Sequence, residues 1–145
     1  MAALTAAKSV NHLGDAPFIN LLKIPQKAST IVYQGALVVI DAGYAAPGRT
    51  ATGLVAAGRA ERTYDNSAGA NGAKTVEVRR GVFAFENSSA GDLIAQTEIG
   101  TLCYIVDDQT VAKTNGGATR SIAGRVISVS EGDSKVYVEI GSFNP

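Results

Sequence analysis

The chain has 145 residues, 46% of them hydrophobic, and its 13 lysines and arginines balance its 13 aspartates and glutamates. That length suits one domain with a full core, and a zero net charge gives no pull toward a phosphate backbone, which sets nucleic acid aside as a partner. Charged residues are 18% of the chain against about 25% in soluble domains generally, a lightly charged surface that suits a subunit covered by neighbours.

Residues 1–29 read as an extended arm. They combine an alanine-rich start, a Gly14-Asp15 turn and the apolar cluster Phe18, Ile19, Leu21, Leu22 and Ile24, with Pro17 and Pro25 as breakers. Proline at both ends argues against one long helix and for a segment that docks by its apolar side chains, on its own barrel or on a neighbouring subunit. The start, MAALTAAKSVNHLG, has no long apolar stretch and a positive charge only at Lys8, so it does not read as a signal peptide. No segment approaches the ~20 apolar residues of a membrane span, so no membrane partner is expected and the chain is assigned to the cytoplasm or to something assembled there.

From residue 30 the apolar residues recur with period two and the breaks are glycine, asparagine and aspartate, both of them strand signals. TIVYQGALVVID (30–41) divides into two short strands with a bend or bulge at Gly35, and GLVAAGRAE (53–61) fits a short strand between glycines. TYDNSAGANGAKT (63–75) is small, polar and glycine-rich, so it reads as a loop. TVEVRRGVFAFEN (75–87) alternates through Val76 and Val78, then changes face around Gly81 before Val82, Phe83 and Phe85. SSAGDLIAQTE (88–98) is the best helical candidate, with Ser88 or Ser89 as cap. SIAGRVISVSEGDSKVYVEIG (121–141) is a hairpin: a strand to Val129, a turn at Glu131-Gly132-Asp133, and a strand with Val136, Val138 and Ile140 on one face.

The fold class expected is therefore all-β: a small β-barrel or β-sandwich over residues 30–145, with the extended N-terminal arm over 1–29 and at most one short helix. No fixed-period internal repeat is visible.

The inventory for chemistry is thin. The single His12 lies in the arm, and Walker, GxGxxG and HExxH patterns are lacking. Cys103 is alone, among Leu102, Tyr104 and Ile105, and reads as a buried thiol. In LCYIVDDQTVAKT (102–114) the adjacent Asp107 and Asp108 follow a strand and precede another, so they read as a turn rather than as catalytic or metal-binding carboxylates. Asn87-Ser88-Ser89 matches a glycosylation pattern that means nothing without a secretory signal. No enzyme activity, cofactor or metal is expected. Arg59, Arg62, Arg79 and Arg80 form the only basic concentration, in two strand regions flanking the 63–75 loop. They suit either an acidic partner surface or solvated strand edges.

The order of the motifs carries a resemblance. GALVVID (35–41), GLVAAGRAE (53–61), TVEVRRGVFAF (75–85), IGTLCYIVDDQTVAKT (99–114), IAGRVISV (122–129) and KVYVEIG (135–141) form a series that resembles the small capsid decoration, or cement, proteins of tailed bacteriophages. In that family a strand leading into a glycine and an aromatic is followed by G-T-x-x-Y-x-x-D, then by G-x-V and a final alternating strand. Here these correspond to Gly81-Val82-Phe83, to Gly100, Thr101, Tyr104 and Asp107, to Gly124-Arg125-Val126, and to Val136 to Ile140. The chain departs from the compact family pattern in its longer arm and in the 63–75 loop, which looks like an insertion.

The resemblance implies a barrel-like subunit on the outer surface of a virion head, most simply a homo-oligomeric trimer, with the major capsid protein as partner. Within it, capsid or subunit contact falls on Phe18, Ile19, Leu21 and Leu22 of the arm and on Arg59, Arg62, Arg79 and Arg80. The alternative is a non-catalytic surface-binding domain of carbohydrate-binding or adhesin-like type. The lack of tryptophan, and hence of large aromatic platforms, counts against sugar binding.

Overall fold

The computed structural model describes Ala6, Ala7 and residues 20–140; His12, Phe18 and Ile19 lie outside the described residues. Among the described residues twelve strands follow in chain order: β1 (Leu21–Pro25), β2 (Thr30–Val32), β3 (Leu37–Asp41), β4 (Tyr44–Pro47), β5 (Val55–Ala60), β6 (Tyr64–Asn66), β7 (Thr75–Arg79), β8 (Gly81–Glu86), β9 (Leu102–Ile105), β10 (Val111–Ala112), β11 (Ile122–Ser130) and β12 (Lys135–Ile140). The fold is all-β, as the alternation requires. The helical candidate at 88–98 resolves into two single 3-10 turns, Ala90–Asp92 and Gln96–Glu98, and the Ser89 side chain makes no cap hydrogen bond.

The strands form two five-stranded antiparallel sheets, ordered β1-β7-β5-β3-β4 and β8-β12-β11-β9-β10, with a two-stranded ribbon of β2 and β6. These two orders are one topology written twice. Numbered along the chain within each half, the strands lie in space as first, fifth, fourth, second, third. The agreement extends to single hydrogen bonds. In the first half the Gly35 amide donates to the Ala60 carbonyl (3.1 Å) and the Ala60 amide to the Ala36 carbonyl (2.9 Å); in the second, Gly100 donates to Val126 (2.8 Å) and Val126 to Thr101 (2.9 Å).

Gly35 and Gly100 share a left-handed backbone, with φ of 88° and 91°. Both fourth strands carry a bulge at the same step, at Ala57 against β3 and at Ala123 against β9. An edge-to-edge parallel bridge curls each sheet toward closure, Gln26 with Ala45 and Glu86 with Thr110.

Each half therefore has its own core. Ile24, Val32, Val38, Ala45, Ala57, Ala60, Val76 and Val78 fill the first. Phe85, Ile94, Cys103, Ile105, Val111, Ala123, Val126, Val136 and Val138 fill the second. Val32 and Ile94, in the connection after each first strand, plug equivalent places. An amide side chain pins that connection in both halves: Gln26 Nε2 donates to the Thr30 carbonyl (3.1 Å) and Asn87 Nδ2 to the Ile94 carbonyl (2.9 Å). The halves differ most between the fourth and fifth strands, where β11 and β12 are joined by a tight turn while β5 and β7 are separated by β6 and its loop.

Three expectations change. A repeat is present, although the sequence shows none at fixed period, because unequal connections break the spacing. The division into an arm to residue 29 and a barrel from residue 30 is not the one the strands draw. Leu21–Pro25 is already the outer strand of the first sheet, paired with β7 from Leu21 opposite Arg79 to Pro25 opposite Thr75. Pro25 is tolerated because it ends an edge strand, where a missing amide costs no ladder bond. The 63–75 segment is not only a loop: β6 pairs with β2, and buried Asn66 donates through Nδ2 to the Lys27 and Ala70 carbonyls, both at 3.0 Å.

Candidate functional site

Strand pairing sets Leu21, Arg79 and Arg59 side by side across β1, β7 and β5. Directly opposed arginines repel, and Glu61, just past the end of β5, relieves this: its Oε1 accepts from Arg79 Nε at 2.6 Å and from Arg59 Nη2 at 3.2 Å. The Arg79 hydrogen bond, supported by Arg59 and opposed by partial desolvation, holds the Glu61 carboxyl below its ordinary range. Arg62 donates to Glu77 Oε2 at 3.2 Å. The arginine concentration read from the sequence is thus a set of ion pairs, with its charge largely matched on the spot. Arg80 lies at the joint between β7 and β8, where its amide donates to the Asn20 carbonyl.

The guanidinium of Arg59 also lies 4.6 Å from the centre of the Phe83 ring. Phe83 belongs to the second half, so Arg59 is spent on contact within the chain, a cation–π pair worth about 1 kcal/mol. Of the arm residues, Leu21 is 39% exposed beside Arg79, and Leu22, on the opposite face of β1, packs on the first core. The structure therefore brings Leu21, Arg59 and Arg79 together, sends Leu22 inward, and leaves Arg62 with Glu77.

The Asp107-Asp108 turn has a role that the sequence did not suggest. The Gln109 amide donates to Asp107 Oδ1 at 2.9 Å, closing the turn on itself. Its main chain then receives the first half: the Leu37 amide donates to the Asp108 carbonyl (2.8 Å), Thr50 Oγ1 donates to the Val106 carbonyl (2.8 Å), and the main chain of Arg49 pairs antiparallel with that of Asp107. Leu37, Val39, Ala46 and Leu54 pack into the second core behind these bonds. Partial burial, with the neighbouring Asp107 charge adding to it, pushes the Asp108 carboxyl above its ordinary range. Cys103 is buried and its thiol is pushed up to about 12, so little reactive thiolate is available. Among the described residues no three His, Cys, Asp or Glu side chains are placed to share a metal ion.

The outer face of the second sheet is the surface that the sequence reading passed over. Val82 on β8, Tyr137 on β12 and Ile127 on β11 stand exposed on adjacent strands. They are flanked by an ion pair of Lys135 with Glu86 at one end and by Arg125 opposite Glu139 at the other. Val82 and Tyr137 were legible as the outward members of alternating strands; Ile127 was not, because the irregularity in the β11–β12 register carries it outward. Comparison with family models, with curated proteins and with solved structures found no match.

Proposed function

We propose that this chain is a structural virion protein, one that binds the outer surface of an expanded icosahedral phage head as a homotrimer and clamps neighbouring capsomers of the major capsid protein. Genome packing presses outward on such a shell, and a clamp across capsomer boundaries raises the barrier to rupture. Many weak contacts then add through multivalency. The chemistry is binding alone.

The motif series supports the reading, and one structural observation carries it furthest: exposed apolar side chains on rigid strands, Val82, Ile127 and Tyr137 together and Leu21 beside the arginine pair. Apolar surface of this kind, edged by matched charges, is what a partner covers. Mixing the purified protein with expanded, undecorated heads of its own phage tests the proposal. Saturable binding with a higher rupture temperature is the expected result. Heads that neither bind the protein nor gain thermal resistance overturn it.

A further inference from the structure

The two halves of the chain are like modules joined through unlike faces. The first module offers its outer face: Leu37, Val39 and Leu54 enter the second core, Ala56 packs against it, and Arg59 covers Phe83. The second module receives them on its β9–β10 turn and on Phe83. Strand register identifies the counterpart of each group. On the donating side, Ala56 opposite Val39 answers to Ile122 opposite Tyr104, Leu37 to Leu102, and Arg59 to Arg125. On the receiving side, the Asp107-Asp108 turn answers to the β3–β4 turn at Ala42, and Phe83 opposite Val138 to Leu22 opposite Val78.

The donating and receiving groups occupy different elements of the module, so the contact is head to tail rather than two-fold. A head-to-tail contact between like units leaves a donor face free at one end and a receiver face free at the other. The free donor face has the features of a face meant to be covered. Where the first module has the small, partly covered Ala56, the second has Ile122, a larger apolar side chain that is 36% exposed. At the other end Ala42 is exposed at the tip of the β3–β4 turn.

We propose that copies of this chain associate head to tail, the Leu102, Tyr104, Ile122 and Arg125 face of one seating on the Leu22 and Ala42 end of the next and repeating the packing inside each chain. The resulting assembly is a ring if the rotation closes and a filament if it does not. The surface follows from the duplicated topology; only the count of three copies rests on the proposed function.

Light scattering on the eluting full-length protein tests this with two variants, each blocking one face. Ile122→Glu puts a charge on the donor face at an exposed position. Ala42→Lys puts a long side chain on the exposed receiver turn, with a charge opposite to that of the Asp107-Asp108 turn and like that of the incoming Arg125. The wild type is expected at a multiple of the 14.9 kDa chain, and each variant alone at the mass of one chain with its unfolding transition kept. An equal mixture of the two variants is expected at the mass of two chains, because each retains the face that the other has lost. A wild type that stays at one chain when concentrated overturns the proposal, and so does a variant that keeps the wild-type mass. A mixture that fails to pair overturns it as well. Heads left undecorated by a protein that shows the expected masses would remove the head-binding reading and leave this one standing.

Discussion

Gly58 and Gly124 occupy one position in two copies of the same module: a Cβ built on either would lie 2.2 Å from the Arg79 carbonyl oxygen or 2.1 Å from that of Glu139. In both cases the residue follows the bulged alanine of the central strand and presses against the fifth strand. A carbon cannot come that close to a main-chain oxygen, so the strands would have to part. Gly58→Ala and Gly124→Ala are expected to cost about 3 kcal/mol or more each, and Gly58→Ala the more because its φ of 151° is also unfavourable for alanine. Gly132→Ala, where a Cβ meets nothing within 4 Å, is expected to change stability by less than about 1 kcal/mol. Denaturant unfolding of the three variants checks this.

The place of β1 makes the N-terminal boundary measurable. A chain lacking residues 2–24 loses most of the β1–β7 ladder and withdraws Ile24, 9% exposed, from the first core. A chain lacking residues 2–19 keeps both. The longer truncation is expected to be at least about 2 kcal/mol less stable than the shorter one, from the loss of one buried isoleucine alone. Equal unfolding midpoints would mean that β1 adds nothing to the first module.

Asp108 gives a pH test with a definite sign. Its carboxyl is raised in the folded protein, by burial first and then by Asp107, so the folded state holds a proton more tightly than the unfolded one. This favours folding at low pH, and the advantage is lost as pH rises from the ordinary aspartate value, 3.8, through the raised one. Asp108→Asn keeps the main-chain bond from Leu37 and leaves the turn-closing bond to Asp107 in place. The variant is expected to be more stable than the wild type at neutral pH, with the difference shrinking toward zero by about pH 3. A difference that does not vary with pH would assign the gain to something other than the charge.

The strands that alternate plainly were legible in the sequence: β11 and β12 with their turn, the bend at Gly35, and the change of face at Gly81, which is where the chain passes from one sheet to the other. β4 was not, since Tyr44-Ala45-Ala46-Pro47 is neither alternating nor β-branched and is a strand only because β3 pairs with it. The duplication was hidden for a related reason. What the modules share is backbone geometry, and geometry constrains few side chains: GALVVI resembles GTLCYI, and AAGRA resembles IAGRV, but in the cores Phe85 stands where the first module has Ile24, Cys103 where it has Val38, and Val111 where it has Ala45. The arginine cluster could be located from sequence, but its neutralisation by Glu61 and Glu77 could not, because that depends on which strands lie side by side.

Between β7 and β8 there is one residue, Arg80. The last strand of the first module runs into the first strand of the second with no slack, and Arg59 and Leu37 fasten the two together beyond that joint. A pull applied to either module is therefore passed to the other along taut main chain, with no tether to extend first, so the pair bears tension as one stiff strut.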